Sequence, residues 1–355
     1  MKQYKILTIN LGSTSTKLAY YENEECKIKT TLEHSVQELS VFNDLMEQDG
    51  YRREAIEKFL RDNGISISDL DAIASRGGHT KPLEGGVYQI NETMLEQQAS
   101  GLYGRHACDV GSKIAYKMAA GTKILPVVVD PPVTDEFIEV ARLSGHPELP
   151  RQSRFHALNH RATGKRYARD NGKKYEELNL IIAHMGGGIT VAAHRRGKMI
   201  DATNGIDGDG PFSTNRTGGL PVGALVDLCF SGRYSHKEIK KMLNGEGGLT
   251  AYLKENDVRT VEEKAATDDY FALCLEGMIY QTCKEIAAMG AVLEGNVDAI
   301  VITGGIANSQ KITARMKERI GFIAPVVIYP GENEMDALAL GALEVLRGNE
   351  PLKSL

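Results

Sequence analysis

The chain has 355 residues, of which 42% are hydrophobic and 25% charged, and its net charge is −5. This length predicts two domains or one large one, and the composition excludes a disordered chain, a collagen-like fibre and a coiled coil. The mildly acidic balance argues against sequence-independent binding of nucleic acid, which needs a positive surface.

The cysteines and the apolar runs indicate the compartment. Five cysteines are widely spaced and include no CxxC pair, so we expect neither a disulfide framework nor a zinc site. No apolar run is long enough to span a membrane, and residues 1–11 lack the apolar core of a signal peptide. The sequence therefore predicts a cytoplasmic protein with reduced thiols and no membrane partner.

Two similar hairpins are predicted, one near the start of the chain and one near its middle. Residues 5–10 predict a buried strand, 11–17 a turn rich in serine and threonine with one lysine, and 18–21 a returning strand. Residues 178–183, 184–188 and 189–194 repeat this order with a turn of glycines. Because the two units lie about 170 residues apart, they indicate a duplicated architecture and not a short-period solenoid.

A third glycine turn follows the strand predicted over residues 298–303, and a helix is predicted from Gln310 onward. The free N–H groups at a helix start favour a bound anion. Further helices are predicted after Asn91, over residues 268–294 and over residues 333–346, from apolar side chains spaced by three or four. This alternation of strands and helices predicts an α/β protein.

None of the three turns matches GxxxxGK[ST], and none is GxGxxG with a downstream acid, so a P-loop enzyme and a Rossmann dehydrogenase are disfavoured.

Four motifs carry a resemblance to a known family. They are NLGSTSTK at residues 10–17, AHMGGGIT at 183–190, NDVR at 256–259 and ITGGIAN at 302–308. In order and spacing they resemble the phosphate and adenosine motifs of the acetate/butyrate kinase family. The resemblance implies a duplicated actin-like (ribonuclease-H-like) α/β fold with two lobes and a central cleft. The first lobe would hold residues 1–155 plus 331–355, and the second residues 156–330.

The resemblance implies a short-chain fatty acid kinase that interconverts ATP plus butyrate with ADP plus butyryl phosphate by direct in-line transfer. The butyrate branch is favoured because Gly77 and Gly78 follow Arg76 where acetate kinases carry bulky valines, which would enlarge the acyl pocket. Isobutyrate, propionate and acetate remain open as substrates. More distant alternatives are a sugar or hydroxyl kinase and an ATP-driven switch of the same fold. The family also implies a homodimer or a higher homo-oligomer.

Transfer to a carboxylate needs alignment of two anions and cancellation of charge, and it needs no general base. By resemblance the catalytic residues are Arg76, His156 and Arg216. The residues implied to bind the nucleotide are Asn10, Ser13, Ser15, Lys17, Gly186, Gly187, Gly188, Asp257, Arg259, Gly304, Gly305 and Asn308.

Mg²⁺ prefers a few carboxylates together with several waters. The resemblance points to Asp130 and Glu334 as its ligands, with the neighbouring acids Glu332 and Asp336 left open. The roles of His106, His160 and His184 are left open.

Overall fold

A computed structural model describes residues 2–355, which divide into two compact units. Residues 2–135 and 333–355 form unit 1, and Glu136–Glu332 form unit 2. The sequence predicted the corresponding lobe boundaries at 155/156 and 330/331, whereas the two units divide at 135/136 and 332/333. The roles given to the two lobes stay predictions.

Unit 1 is built on a sheet whose strand order within the described residues is β12-β5-β6-β4-β1-β2-β3. The strands are β1 Lys5–Leu11, β2 Ser15–Glu22, β3 Glu25–Glu33, β4 Ala72–Ser75, β5 Val87–Gln89, β6 Leu125–Val129 and β12 Leu352–Lys353. β1 is antiparallel to β2 and parallel to β4, which is parallel to β6. β1 is almost wholly buried because its apolar run lies between layers of helices, as parallel strands require.

The helices of unit 1 cover this sheet. They are α1 Val36–Leu39, α2 Asp49–Asp62, α3 Glu92–Ser100, α4 Ala107–Ala119 and α12 Glu334–Leu346, with 3₁₀ turns at Leu45–Gln48 and Ile67–Asp69. Ile56, Ile114 and Ile73 lie in one buried apolar cluster, which joins α2 and α4 to the sheet.

Unit 2 holds a second sheet, ordered β11-β10-β7-β8-β9. Its strands are β7 Asn179–Met185, β8 Ile189–Arg195, β9 Lys198–Ala202, β10 Ala299–Gly304 and β11 Val326–Pro330. Its helices are α5 Ala157–Asp170, α6 Val222–Phe230, α7 His236–Leu243, α8 Gly248–Leu253, α9 Val258–Lys264, α10 Asp269–Val292 and α11 Gln310–Ile320. The 3₁₀ turns of unit 2 are Glu139–Arg142, Tyr175–Glu177 and Gly305–Asn308.

The two sheets repeat one arrangement. In unit 1 an antiparallel meander, β1-β2-β3, is extended on the β1 side by parallel β4 and β6. In unit 2 the meander β7-β8-β9 is extended on the β7 side by parallel β10 and β11. The duplication predicted from the two hairpins is therefore present in the strand order.

The long helix predicted from residue 268 is α10, the main helix of the unit 2 core. Asp268 caps it by accepting from the amides of Tyr270 and Phe271. Its buried face includes Met278, Ile286 and Met289, as the spacing predicted. Among residues 2–355, no helix combines the length and the apolar composition needed to cross a membrane.

Candidate active site

The first hairpin of unit 1 ends in a tight turn between β1 and β2. The amide of Gly12 donates to the carbonyl oxygen of Ser15 at 2.9 Å. Ser13 and Lys17 are exposed and Ser15 is half-buried, while Asn10 is buried opposite Lys17 in the strand pair. The turn thus presents hydroxyls and one ammonium group to solvent, as predicted.

This turn is held through its backbone carbonyl groups by a residue that was not predicted from the sequence. Arg52, on α2, is fully buried. Its guanidinium donates at 2.8–3.1 Å to the carbonyl oxygens of Gly12, Ser13 and Ser15. In a planar trans peptide the N–H of the next residue points away from the carbonyl. The amides of Ser13 and Thr14 therefore point away from Arg52, and consecutive amides that point to one side are suited to an anion.

Asn10, Arg76 and Glu334 meet in unit 1. Arg76 follows β4, and its amide donates to the carbonyl of Ile9 on β1 at 3.2 Å. Its Nη1 lies 3.3 Å from Oε1 of Glu334, whose Oε2 accepts from Nδ2 of Asn10 at 2.7 Å. The structure therefore brings a predicted catalytic residue, a predicted nucleotide residue and a predicted metal ligand into one cluster.

The two glycines after Arg76 have a structural explanation. Gly77 has a φ of +73°, and a Cβ there would lie 2.8 Å from Val128. A Cβ at Gly78 would lie 1.8 Å from Oδ1 of buried Asp109. Asp109 also accepts from the amide of His79 at 2.6 Å and so fixes the loop. The packing of unit 1 thus requires glycine at both positions, and the enlarged acyl pocket stays a prediction.

The second predicted metal ligand, Asp130, lies at the end of β6 in an unusual backbone conformation. Its φ is +39°, and its side chain is buried. Two hydrogen bonds join Asp130 to Gly86. The amide of Gly86 donates to Oδ1 of Asp130 at 2.7 Å, and the carbonyl of Gly86 accepts from the amide of Asp130 at 2.9 Å. A strained backbone held by specific partners is typical of functional positions.

The turn of the second hairpin, in unit 2, is held in a related way. The carbonyl of Gly187 accepts from Oγ of Ser213 at 2.7 Å and from Oγ1 of Thr214 at 3.3 Å. The amide of Gly188 therefore points to the opposite side. A Cβ at Gly188 would lie 2.1 Å from Nη1 of Arg216, so only glycine allows this guanidinium to approach the turn.

The guanidinium of Arg216 has an unused hydrogen-bond donor. Its Nη1 donates to the carbonyl of Gly205, and its buried Nε has no partner among residues 2–355. Burial lowers the pKa of Arg216, since removal from water disfavours the charged form. A half-buried guanidinium with an unused donor is suited to an anion, which would supply both the missing charge and the missing acceptor.

His156 and His184 lie together in unit 2. Their ring centroids are 4.2 Å apart. Nδ1 of His156 lies 2.9 Å from Oγ1 of Thr190 on β8, and Nε2 of His184 lies 3.7 Å from Oε1 of Glu332. The carboxylate of Glu332 therefore contacts a histidine of unit 2, whereas that of Glu334 contacts Arg76 of unit 1.

The third glycine turn follows β10. Gly304 has a φ of +93°, and a Cβ there would lie 2.3 Å from the carbonyl oxygen of Met185 at the end of β7. Gly305 and Asn308 are exposed, and Nδ2 of Asn308 donates to the carbonyl of Gly305 at 2.9 Å. The second and third of the three predicted turns, both in unit 2, are therefore in contact.

The predicted adenosine residues lie at the start of α9. Asp257 caps this helix, and its carboxylate accepts from Nη2 of Arg259 at 2.7 Å. The hydrogen bond from Arg259 lowers the pKa of Asp257 to about 2. The pair is therefore a charged surface group.

Comparison with known proteins identifies the family. Residues 147–333 match the model of the acetokinase family. The chain is 47% identical over 352 residues to butyrate kinase 2 of Clostridium acetobutylicum, covering 99% of both chains. The chain belongs to the acetokinase family. It is also 47% identical over 351 residues to a probable butyrate kinase of Clostridium botulinum, again covering 99% of both chains.

Solved structures agree on the fold. Acetate kinase of Porphyromonas gingivalis matches with a TM-score of 0.80 at 19% identity, covering 97% of this chain and 100% of that one. A propionate kinase of Francisella tularensis matches with a TM-score of 0.72 at 21% identity, covering 95% and 98%. The predicted family and the duplicated actin-like fold are confirmed. An acetokinase is a phosphotransferase that uses ATP and a carboxyl acceptor, so the predicted enzyme class is confirmed as well.

Replacing Arg52 tests whether it holds the first turn. Arg52→Met removes the guanidinium that the carbonyl groups of Gly12, Ser13 and Ser15 share as a donor, so we expect a loss of about 2–4 kcal/mol in the free energy of unfolding and a rise of about tenfold in the KM for ATP. Urea unfolding and initial-rate kinetics measure the two effects. Arg53→Met, at the exposed neighbouring position, is the control and should change neither quantity. An unchanged KM for ATP in stable Arg52→Met protein would contradict the role assigned to Arg52.

Proposed function

We propose that the protein is a butyrate kinase that transfers the γ-phosphoryl group of ATP to butyrate in one in-line step. The observation that carries the proposal is the 47% identity to butyrate kinase 2 of Clostridium acetobutylicum over 99% of both chains. In a fermenting cell the reaction runs from butyryl phosphate and ADP toward ATP.

The chemistry requires no base. A carboxylate oxygen of butyrate attacks the γ-phosphorus, the bond from that phosphorus to the bridging oxygen breaks, and its electron pair leaves with ADP. Since the nucleophile is already an anion, no proton is removed. The barrier comes from bringing two anions together and from charge on the transferred group, so positioned donors and cations are what the protein supplies.

Three residues have the properties that this chemistry needs. Arg76 binds the carboxylate, for which a guanidinium offers two parallel donors. Arg216 stabilises the transferred phosphoryl group, and its burial with an unused Nε donor supports this role. His156 donates a hydrogen bond to a phosphoryl oxygen.

The nucleotide is held by the three turns. The hydroxyls of Ser13 and Ser15, with Asn10 and Lys17, bind its terminal phosphates. The second and third turns bind the remaining phosphates and the ribose, through Gly186, Gly187, Gly188, Gly304, Gly305 and Asn308. Asp257 and Arg259 flank the adenosine. Consecutive amides in glycine turns suit this task because they approach a phosphate without side-chain hindrance.

Magnesium completes the proposed site, with Asp130 and Glu334 as the residues that hold it. Carboxylate oxygens are the ligands that Mg²⁺ prefers, and each oxygen of Glu334 keeps a second lone pair beside its contact with Arg76 or Asn10. When bound, the ion would offset charge on the phosphates. Glu332 lies instead in unit 2, where its Oε1 is 3.7 Å from Nε2 of His184.

A cytoplasmic location and a homo-oligomer complete the proposal. All five cysteines are free thiols, which suits a reducing compartment. α6 supports the oligomer, since no residue of this apolar helix is buried. Val222, Val226 and Phe230, spaced by four along one face, are 72%, 49% and 86% exposed. Apolar faces of this kind mark contacts with a partner, and here the partner is a second copy of the chain.

The acid preference tests the function directly. With ATP and Mg²⁺, trapping of acyl phosphate as the hydroxamate should give the highest kcat/KM for butyrate in a series of acetate, propionate, butyrate, isobutyrate and valerate. Arg216→Met protein purified in the same way is the control for contaminating kinases and should be nearly inactive. Absence of product from every acid would refute the proposal, and a preference for isobutyrate or propionate would reassign the substrate.

Removing the charge of Glu334 tests the metal site. In Glu334→Gln we expect the Mg²⁺ concentration for half-maximal activity to rise by about tenfold to a hundredfold. Titration of Mn²⁺ against the ADP-bound protein, followed by electron paramagnetic resonance, should show the same weakening without turnover. Glu332→Gln is the matched control and should bind Mn²⁺ as the wild type does. The reverse order of effects would assign the ligand to Glu332.

Charges on α6 test the oligomer. Val226→Glu combined with Phe230→Glu should convert the wild-type oligomer to monomer in size-exclusion chromatography with light scattering, because burying two carboxylates in an apolar contact is costly. Phe322→Glu, at another exposed apolar position of unit 2, should leave the oligomer intact. A monomeric wild-type chain, or an oligomer that survives the double substitution, would contradict this part of the proposal.

A further inference from the structure

A chain of polar side chains runs through unit 2 and ends at His156. Oη of Tyr175 lies 2.6 Å from Nδ1 of His194, whose Nε2 lies 3.4 Å from Nδ1 of His160. Nε2 of His160 lies 2.9 Å from Oγ1 of Thr190, which lies 2.9 Å from Nδ1 of His156. Three elements contribute, since these residues come from a 3₁₀ turn, from β8 and from the start of α5.

The chain is buried along most of its length. Tyr175 is 3% exposed, and His194, His160 and Thr190 are 0% exposed, whereas His156 is half-buried. Burial lowers the pKa of His194 to about 3 and lowers the pKa of His160 well below its usual value. Both inner histidines are therefore neutral near pH 7.

Neutrality limits where the protons lie. A neutral imidazole carries one N–H and one accepting nitrogen. Because both ring nitrogens of His194 and of His160 are used in the chain, each ring donates on one side and accepts on the other. An uninterrupted chain can therefore run in only two directions, toward His156 or away from it.

The Tyr175 end favours one direction. A phenol titrates at about 10 and is a far stronger acid than the N–H of neutral imidazole, while an imidazole nitrogen accepts more strongly than a phenol oxygen. Tyr175 therefore donates to Nδ1 of His194, which donates from Nε2 to His160. His160 then donates from Nε2 to Thr190, and the Thr190 hydroxyl donates to Nδ1 of His156.

We propose that Thr190 is a positioning residue that, as the last member of this buried chain, fixes His156 in the tautomer with its proton on Nε2. The inference rests on the proposed function, in which His156 donates to a phosphoryl oxygen. The Nε2–H tautomer presents a donor to an anion through that nitrogen, whereas the other tautomer would present a lone pair there and repel the same anion. Second partners that select a histidine tautomer are an established way to tune its chemistry.

Nitrogen NMR tests the tautomer without any substrate. The full-length protein is labelled with ¹⁵N-histidine, and the His156 signals are assigned by their loss in His156→Gln. In the wild type we expect Nε2 of His156 to be protonated and Nδ1 to accept. In Thr190→Val, which keeps the shape and removes the hydroxyl, we expect both tautomers, and in Thr190→Ser we expect the wild-type pattern. A wild-type His156 protonated on Nδ1 would overturn the inference, even if Thr190→Val failed to fold.

Kinetics separate positioning from general damage. For Thr190→Val we expect kcat to fall by about tenfold to a hundredfold, because His156 would donate in only part of the molecules. Both KM values should change by less than about threefold. Thr190→Ser should restore kcat to within about threefold of the wild type. An unchanged kcat in folded Thr190→Val, or a loss that serine does not restore, would overturn the inference. If the wild type phosphorylates no acid, the proposed function fails, and the NMR result still decides the tautomer.

Discussion

Repulsion between like charges is the constraint on which this structure depends. A carboxylate that attacks ATP approaches a polyanion, and in a partly desolvated site two charges at contact repel by several kcal/mol. The protein must supply positive charge and hydrogen-bond donors without the mobility of water. Arg216 has the properties required, since it is half-buried with an unused Nε donor and the absence of a side chain at Gly188 lets it lie close to its turn.

The two hairpin turns that begin the repeated sheets are held by different side chains. In unit 1 one buried guanidinium, that of Arg52, draws three carbonyl groups to one side. In unit 2 the hydroxyls of Ser213 and Thr214 draw the carbonyl of Gly187. In both turns the following amides point the other way. The duplicated fold has therefore kept the turn geometry while the supporting side chains differ.

Much of the framework could be predicted from the sequence, because local patterns encode it. The two hairpins, the long helix α10 and the glycine turn before α11 follow from periodicity and turn chemistry. Arg52 was missed although it shares a helix face with Ile56 and Leu60, since a charged residue among buried positions looks like an interruption of the pattern. Its contacts with the turn span 36 to 40 residues of sequence, which periodicity does not reveal.

Gly77 and Gly78 were noticed in the sequence, but their packing could not be predicted from it. Whether glycine leaves space or fills a tight contact depends on Val128 and Asp109, which come from other elements. The chain from Tyr175 to His156 could not be predicted for the same reason. The sequence marks each histidine but does not show that they touch.

The stereochemical course at phosphorus tests the central claim most directly. With ATP made chiral at the γ-phosphorus by oxygen isotopes, a single in-line attack by butyrate predicts inversion of configuration in butyryl phosphate. Retention would contradict the account, because it requires two successive displacements and a phosphorylated residue of the enzyme.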